Sequence, residues 1–216
     1  MVFITVNRDE LKEKYGEEEV LVVPKEFLPN KLNDGFTKAR RQDIDHLLSE
    51  SYFIKRYDSD NNPDEVEVIP YVVVTNRSHD NIFCTKRLDG SGEKRLIDLL
   101  SLGQGGHINP FNTLKGSQLM YYSLNRELAE ELMINPMALV NYNLKFEGYI
   151  RKTETTVDKD HLGFLFFMEL RDSVCNEGYV SINETDVLEG EFVDETFLDK
   201  HYDKLETWSR VVIDNL

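Results

Sequence analysis

The sequence predicts an α/β sandwich built on a mixed sheet, and three observations point to it. Runs rich in Val, Ile, Phe and Tyr recur as "VIPYVVVTN", "NIFCTKR" and "HLGFLFFMEL", each bounded by turn residues as strands are. A helical period, Leu124, Leu128 and Leu132 beside Tyr121, follows a central glycine loop. A second one closes the chain, with Leu198, Tyr202, Leu205, Trp208 and Val212 at helical spacing. Strands interleaved with amphipathic helices bury their apolar faces by layering helix on sheet.

Taken in order, "EEEVLVVPKEFL" reads as a strand ending near Pro24. "FTKARRQDIDHLLSE" reads as a helix on Ile44, Leu47 and Leu48, "SYFIKRY" as a short strand and "DSDNNPDE" as a polar loop. "VIPYVVVTN" and "NIFCTKR" form a hairpin about "RSHD", and "GSGEKR" is a turn. "LLSLGQGGHINP" holds a short apolar run that breaks at glycines. A helix then runs from about Ser117, its N-cap, to about Met133. "ALVNYNLKFEGYIRK", "HLGFLFFMEL" and "EGYVSI" are three further strands, and "TFLDKHYDKLETWSRVVIDNL" is one C-terminal helix. No internal repeat or flexible linker is visible. Residues 1–66 read as an N-terminal extension packed on a main domain of residues 67–216.

Composition limits the function classes. A chain of 216 residues buries about 70% of its unfolded surface, enough for a core without disulfide or metal staples. Two cysteines, Cys84 and Cys175, lie in apolar contexts and read as buried thiols of a reducing cytosol. No signal peptide is legible, and no apolar run nears the roughly 18 residues that span a bilayer, so the chain reads as cytoplasmic. Forty acidic residues stand against 25 basic ones, a formal charge of -15. That balance argues against long nucleic acids and anionic membranes, which need a basic surface. It leaves room for a small phosphorylated ligand held by a local cationic pocket and metal ions.

Against that negative background, "RELAEEL" sets Glu127, Glu130 and Glu131 at i, i+3 and i+4 of a helix, on one face. Like charges at that spacing cost roughly 0.2–0.5 kcal/mol per pair. Water screens such a cost or a cation removes it. Taken alone the heptapeptide is ordinary helical surface. The glycines upstream change its weight, because backbone at Gly105 and Gly106 can approach a ligand closely and offer a carbonyl. A carbonyl with three carboxylates is an all-oxygen site suited to Mg²⁺ or Mn²⁺.

These residues resemble the Nudix hydrolase box, Gly-x5-Glu-x7-Arg-Glu-U-x-Glu-Glu-x-Gly-U, in which U is aliphatic. Gly106 matches the opening glycine, Arg126-Glu127-Leu128-Ala129-Glu130-Glu131 the core, and Ile134 the final aliphatic position. "IPYVVV", "GEKRL", "GGHIN", "HLGFLFF" and "LETWS" resemble a bacterial subfamily of predicted Nudix phosphoesterases. The resemblance implies a Nudix-type α/β/α sandwich. It implies a Mg²⁺- or Mn²⁺-dependent hydrolase that cleaves the pyrophosphate bond of a nucleoside diphosphate linked to another group. It assigns the metal to the Gly105 carbonyl, Glu127, Glu130 and Glu131. Glu127 would ligate the metal or orient the attacking water, and Arg126 would hold a glutamate in place.

Departures from the box exist. The interval from Gly106 to Arg126 is six residues longer than the pattern, which places an insertion in "PFNTLKG". Gln118, or Asn112 when counted from Gly106, stands where the first box glutamate belongs, and Met133 replaces the later glycine. An amide is a poorer metal ligand and cannot act as a base. That loss motivates an alternative reading, a Nudix-fold nucleotide-binding or regulatory module with weak or no catalysis.

Arg87, Arg95 and His107 are the candidate substrate contacts. Glu154, Asp158 and Asp160 form an acidic loop before "HLGFLFF", where some Nudix enzymes carry a further ligand or base. His161 has no partner at ligand spacing and the five histidines are scattered, so no zinc site is read. "DSDNNPDEVEVI" fails as a calcium loop, with Pro63 in the glycine position and Ile69 in the glutamate position. "GSGEKR" lacks the Lys-Ser/Thr of a phosphate loop. The extension and the C-terminal helix could support a homodimer.

Overall fold

The computed structural model describes residues 8–30, 32, 34–60, 62–88, 97–154, 158–175, 178–183 and 185–216. The chain runs α1 (Arg8–Tyr15), β1 (Glu19–Pro24), β2 (Gly35–Lys38), α2 (Arg41–Leu48), β3 (Tyr52–Lys55), α3 (Arg56–Ser59), β4 (Glu65–Asn76) and β5 (Asn81–Arg87). It continues with β6 (Leu100–Ser101), β7 (Gly103–Gly105), α4 (Gly116–Glu131), β8 (Leu132–Ile134), β9 (Asn143–Arg151) and β10 (His161–Leu170). It closes with α5 (Asp172–Cys175), β11 (Val180–Ile182), β12 (Leu188–Asp194), α6 (Glu195–Lys200) and α7 (Thr207–Ile213).

The main sheet has ten strands, with the order β12-β5-β4-β10-β9-β2 along its path. β4 and β10 pair in parallel along the whole of β10, from His161 opposite Glu67 to Leu170 opposite Asn76. The other strand pairs run antiparallel. A separate two-stranded sheet joins β8 and β11. The mixed sheet with helices on both faces is the α/β architecture expected from the sequence.

Period two decides which side chain faces which layer. Even-numbered Val66, Val68, Val72 and Val74 of β4 and Phe164, Phe166 and Met168 of β10 pack with α2 and α4, through Ile44, Leu47, Leu119, Met120 and Leu124. Odd-numbered Tyr71, Val73, Leu165 and Phe167 pack with Leu198, Val211 and Val212 of α6 and α7. Burial on both faces explains why these strands read as continuous apolar runs rather than alternating ones. Gly163 lies on the α7 face, where a Cβ would come 2.7 Å from the Trp208 ring. Cys84 and Cys175 are buried and free, and burial pushes the Cys84 thiol up to about 12. No helix among the described residues is long and apolar enough to cross a membrane.

Several local expectations shift. Phe36–Lys38 is strand rather than helix, because β2 pairs with Tyr149 and its neighbours on β9. The turn expected at "GSGEKR" lies outside the described residues, at 90–95. The long C-terminal helix is two, α6 and α7, interrupted near Leu205. That residue bridges Leu100, and the Glu206 N–H donates to the Leu100 carbonyl at 2.9 Å. A sheet pairing won over continued helical hydrogen bonding. The start of α4 is capped from outside: Lys115, not Ser117, is the N-cap residue and it makes no side-chain cap bond. Asp45 of α2 accepts from the Ser117 N–H at 2.9 Å instead. Gly116 sits in the left-handed region at φ +53°, and a Cβ there would come 2.9 Å from Asp45 Oδ1. A glycine therefore brings the helix start up to its borrowed cap.

Two substitutions test this packing. Asp45→Ala removes the cap and should cost about 1 kcal/mol, seen as a lower urea midpoint with an unchanged slope. Phe166, fully buried, meets the rings of Tyr121 at 5.7 Å and Phe146 at 5.2 Å. Phe166→Ala should cost about 3–5 kcal/mol in the same measurement.

Candidate functional site

The site forms where β7 leaves the sheet and α4 passes over it. β7 pairs with β4, Gly105 opposite Tyr71, so close that a Cβ on Gly105 would lie 2.4 Å from the Pro70 carbonyl oxygen. One residue on, a Cβ on Gly106 would overlap the carboxylate of Glu127, 2.4 Å from Oε2. The glycine pair is thus a matter of space. The first glycine lets the strand lie on β4, and the second admits a helical carboxylate against the loop backbone.

Glu127 is buried, while Glu130, one turn further on, is half-exposed. Arg126 joins the parts. Its Nη2 donates to the His107 carbonyl at 2.7 Å and to Glu127 Oε1, and its Nη1 lies 3.5 Å from Glu130 Oε2. One guanidinium fixes the loop and two carboxylates together, a geometry suited to a planar fork of donors. Glu131 ends the helix, and its carbonyl accepts from the Asn183 N–H at 2.8 Å. Gln118 lies exposed in the first turn of α4.

Consecutive residues of the extended loop point in opposite directions. Gly106 faces Glu127, while the imidazole of His107 turns the other way, to Glu67 at 2.5 Å. His161 reaches the same Glu67 oxygen, Oε2, at 3.3 Å. Glu67 is almost fully buried and its other oxygen accepts from Ser59 Oγ. Burial alone would raise the Glu67 carboxyl. The two imidazoles outweigh it and hold the carboxyl well below the usual range. Sequence spacing hid this trio, because its members lie on β4, after β7 and on β10. Only the parallel register, His161 opposite Glu67, brings them together, and it supplies the partner that sequence spacing denied His161.

The remaining candidates lie elsewhere. Arg87 Nε is 3.3 Å from Glu206 Oε1, at the start of α7. Burial raises the Glu206 carboxyl although Arg87 works against it. Arg95 lies outside the described residues. Glu154 pairs with Lys152 at 2.6 Å, and Asp158 and Asp160 are buried in the turn before β10. An apolar groove of about 410 Å³ runs along the other flank of α4, past Leu128, Leu132 and Tyr142. Its lining includes neither the glycine pair nor the glutamates.

The loop that Arg126 ties to Glu127 rests on the first strands. The Leu21 N–H of β1 donates to the Ile108 carbonyl at 2.9 Å. Asn109 donates to the Glu19 carbonyl at 2.8 Å and to Glu18 Oε1 at 3.2 Å, and Glu18 pairs with Arg56 at 2.9 Å. The boundary read at residue 66 falls within β4, where Val22 of β1 lies opposite Glu67.

No known family profile matches the sequence. Protein YmaB of Bacillus subtilis (strain 168) is 35% identical over 169 residues, 76% of this chain and 77% of YmaB. The crystal structure of Tm1382, provisionally described as a Nudix hydrolase, superposes with a TM-score of 0.72 at 27% identity. It covers 91% of this chain and 97% of that one. Agreement over nearly the whole of a solved structure extends far beyond the box motif, so the chain, a relative of YmaB, belongs to the Nudix superfamily.

Proposed function

We propose that the protein is a Mg²⁺- or Mn²⁺-dependent pyrophosphohydrolase acting on a nucleoside diphosphate linked to a second group. The observation that carries the reading is the meeting of the Gly105–Gly106 backbone with the Glu127 carboxylate, locked by Arg126. In this reading residues 67–216 are the catalytic domain, and the preceding extension buttresses its glycine loop.

By residue type the proposed ligands would suit a hard divalent ion, although among the described residues the ligand atoms drawn within 4.8 Å of one another are those of Glu67, His107 and His161. The donor set is a carbonyl, Gly105, and the carboxylates of Glu127, Glu130 and Glu131, all oxygen. The place where a Cβ of Gly106 would sit is taken by the Glu127 carboxylate, which therefore lies against the loop backbone. When bound, such an ion neutralises diphosphate charge and lowers the pKa of water. The chain's own residues do the rest. Arg126 fixes the direction of Glu127, which orients the attacking water, so the displacement is prepared before substrate arrives. Arg87, Arg95 and His107 stand as the candidate substrate contacts. Arg87 is paired with Glu206 and His107 with Glu67, so a phosphate would compete with those pairs. The acidic surface, -15 overall, favours small substrates over polyanions.

A second reading, a nucleotide-binding module with weak or no catalysis, is favoured by Gln118, an amide in the place of the first box glutamate. One panel separates the two. Nucleoside triphosphates, ADP-ribose, dinucleoside polyphosphates and nicotinamide dinucleotides are incubated with Mg²⁺ or Mn²⁺, and products are read by mass spectrometry. The hydrolase predicts cleavage of at least one member, lowered by more than about 100-fold in Glu131→Gln, a larger loss than outer residues of a metal site cause. Thermal stabilisation by one member without turnover would instead establish the binding module. Gly106→Ala tests the close approach itself. Its methyl must displace Glu127, so it should destabilise the fold by about 1–3 kcal/mol and abolish turnover together.

A further inference from the structure

We infer that Glu67, His107 and His161 form a second metal site, for a single zinc-like transition ion that pins the glycine loop to the sheet. One ligand atom from each lies within 4.8 Å of the others. Both imidazoles present Nε2, and both face the same carboxylate oxygen, Glu67 Oε2, at 2.5 and 3.3 Å. That oxygen is deeply buried and takes no in-line hydrogen bond. A divalent ion would sit against that oxygen with both imidazole nitrogens as its neighbours.

The groups that would orient these ligands are already in place. Ser59 Oγ donates to Oε1, which fixes the carboxylate plane and leaves Oε2 for the ion. Arg126 holds the backbone carbonyl of His107 at 2.7 Å, and β4 and β10 place Glu67 opposite His161. Ligand atoms about 2.0–2.2 Å from a tetrahedral zinc lie roughly 3.3 Å from one another. The His161 contact has that length, and the His107 contact opens to it by a small side-chain rotation. Two imidazoles and one carboxylate with an open fourth position are a zinc donor set.

Ligand chemistry separates this site from the carboxylates of α4. The α4 set is all oxygen and suits Mg²⁺ or Mn²⁺, whereas imidazole nitrogen suits zinc and its neighbouring transition metals. The extended loop separates them in space as well, with Gly106 directed at Glu127 and His107 directed at Glu67. The proposal does not depend on pyrophosphate hydrolysis.

The test uses the full chain, stripped with a chelator, loaded with Zn²⁺ or Co²⁺ in excess Mg²⁺ and desalted. We expect retention of one equivalent of zinc, a higher melting temperature, and visible d–d bands on cobalt loading. His161→Gln and His107→Asn should lose all three. Glu131→Gln should keep them while losing any hydrolysis. Urea unfolding of each variant without metal identifies any that fail to fold, and the remaining histidine variant then decides. The proposal is overturned if the wild type retains no zinc and shows no cobalt bands. It is equally overturned if the histidine variants retain the ion and Glu131→Gln does not.

Discussion

Parallel pairing of β4 with β10 is the constraint from which the rest of the structure follows. Two antiparallel strands can share a tight turn, but parallel neighbours need a long crossover. The crossover here holds β5–β7, α4, β8 and β9. It carries α4 across one face, while the later α6 and α7 close the other. Both faces of the pair are then dry, and the strands can be Val- and Phe-rich throughout. The same register puts Glu67 beside His161 at the strand entrance, where the core gives way to polar groups.

Close approach governs the site more than charge does. Gly105 lets β7 lie against the Pro70 carbonyl, and Gly106 leaves room for Glu127. A carboxylate brought so near a loop backbone loses water, and Arg126 offsets that loss with charge-assisted hydrogen bonds. Glutamates crowded on α4 of a chain already at -15 are tolerable because one guanidinium spans two of them. The length of the loop from Gly106 to Arg126 has a structural use too. It places Phe111 on the ring of Tyr122 at 3.9 Å and lets α4 start against the Asp45 cap.

The first strands are part of the same frame. β1 hydrogen-bonds the loop after the glycines and pairs with β4 and β3, and Arg56 and Asn109 meet on Glu18. β1 thus holds Ile108 and Asn109, the residues that directly follow His107 and its contact with Arg126. Ser59 on α3 extends this frame to Glu67.

Sequence determined the fold class, the apolar strands, the helix after the glycine loop and the likeness to the Nudix box. Each depends on local composition or on spacing within some thirty residues, which periodicity and motif can read. It also put Arg126, Glu127, Glu130 and Glu131 on one helix, since helical geometry alone does so. Tertiary structure decided what distant residues supply. Asp45 rather than Ser117 caps α4, Leu100 breaks the C-terminal helix, and β9 turns Phe36–Lys38 into strand. It also gathered Glu67, His107 and His161 from three segments, and seated Arg87 on Glu206. The physical reason is common to all of them. A cap, a sheet partner or a ligand is a matter of position in space, and sequence separation carries no record of it until the strands are in register.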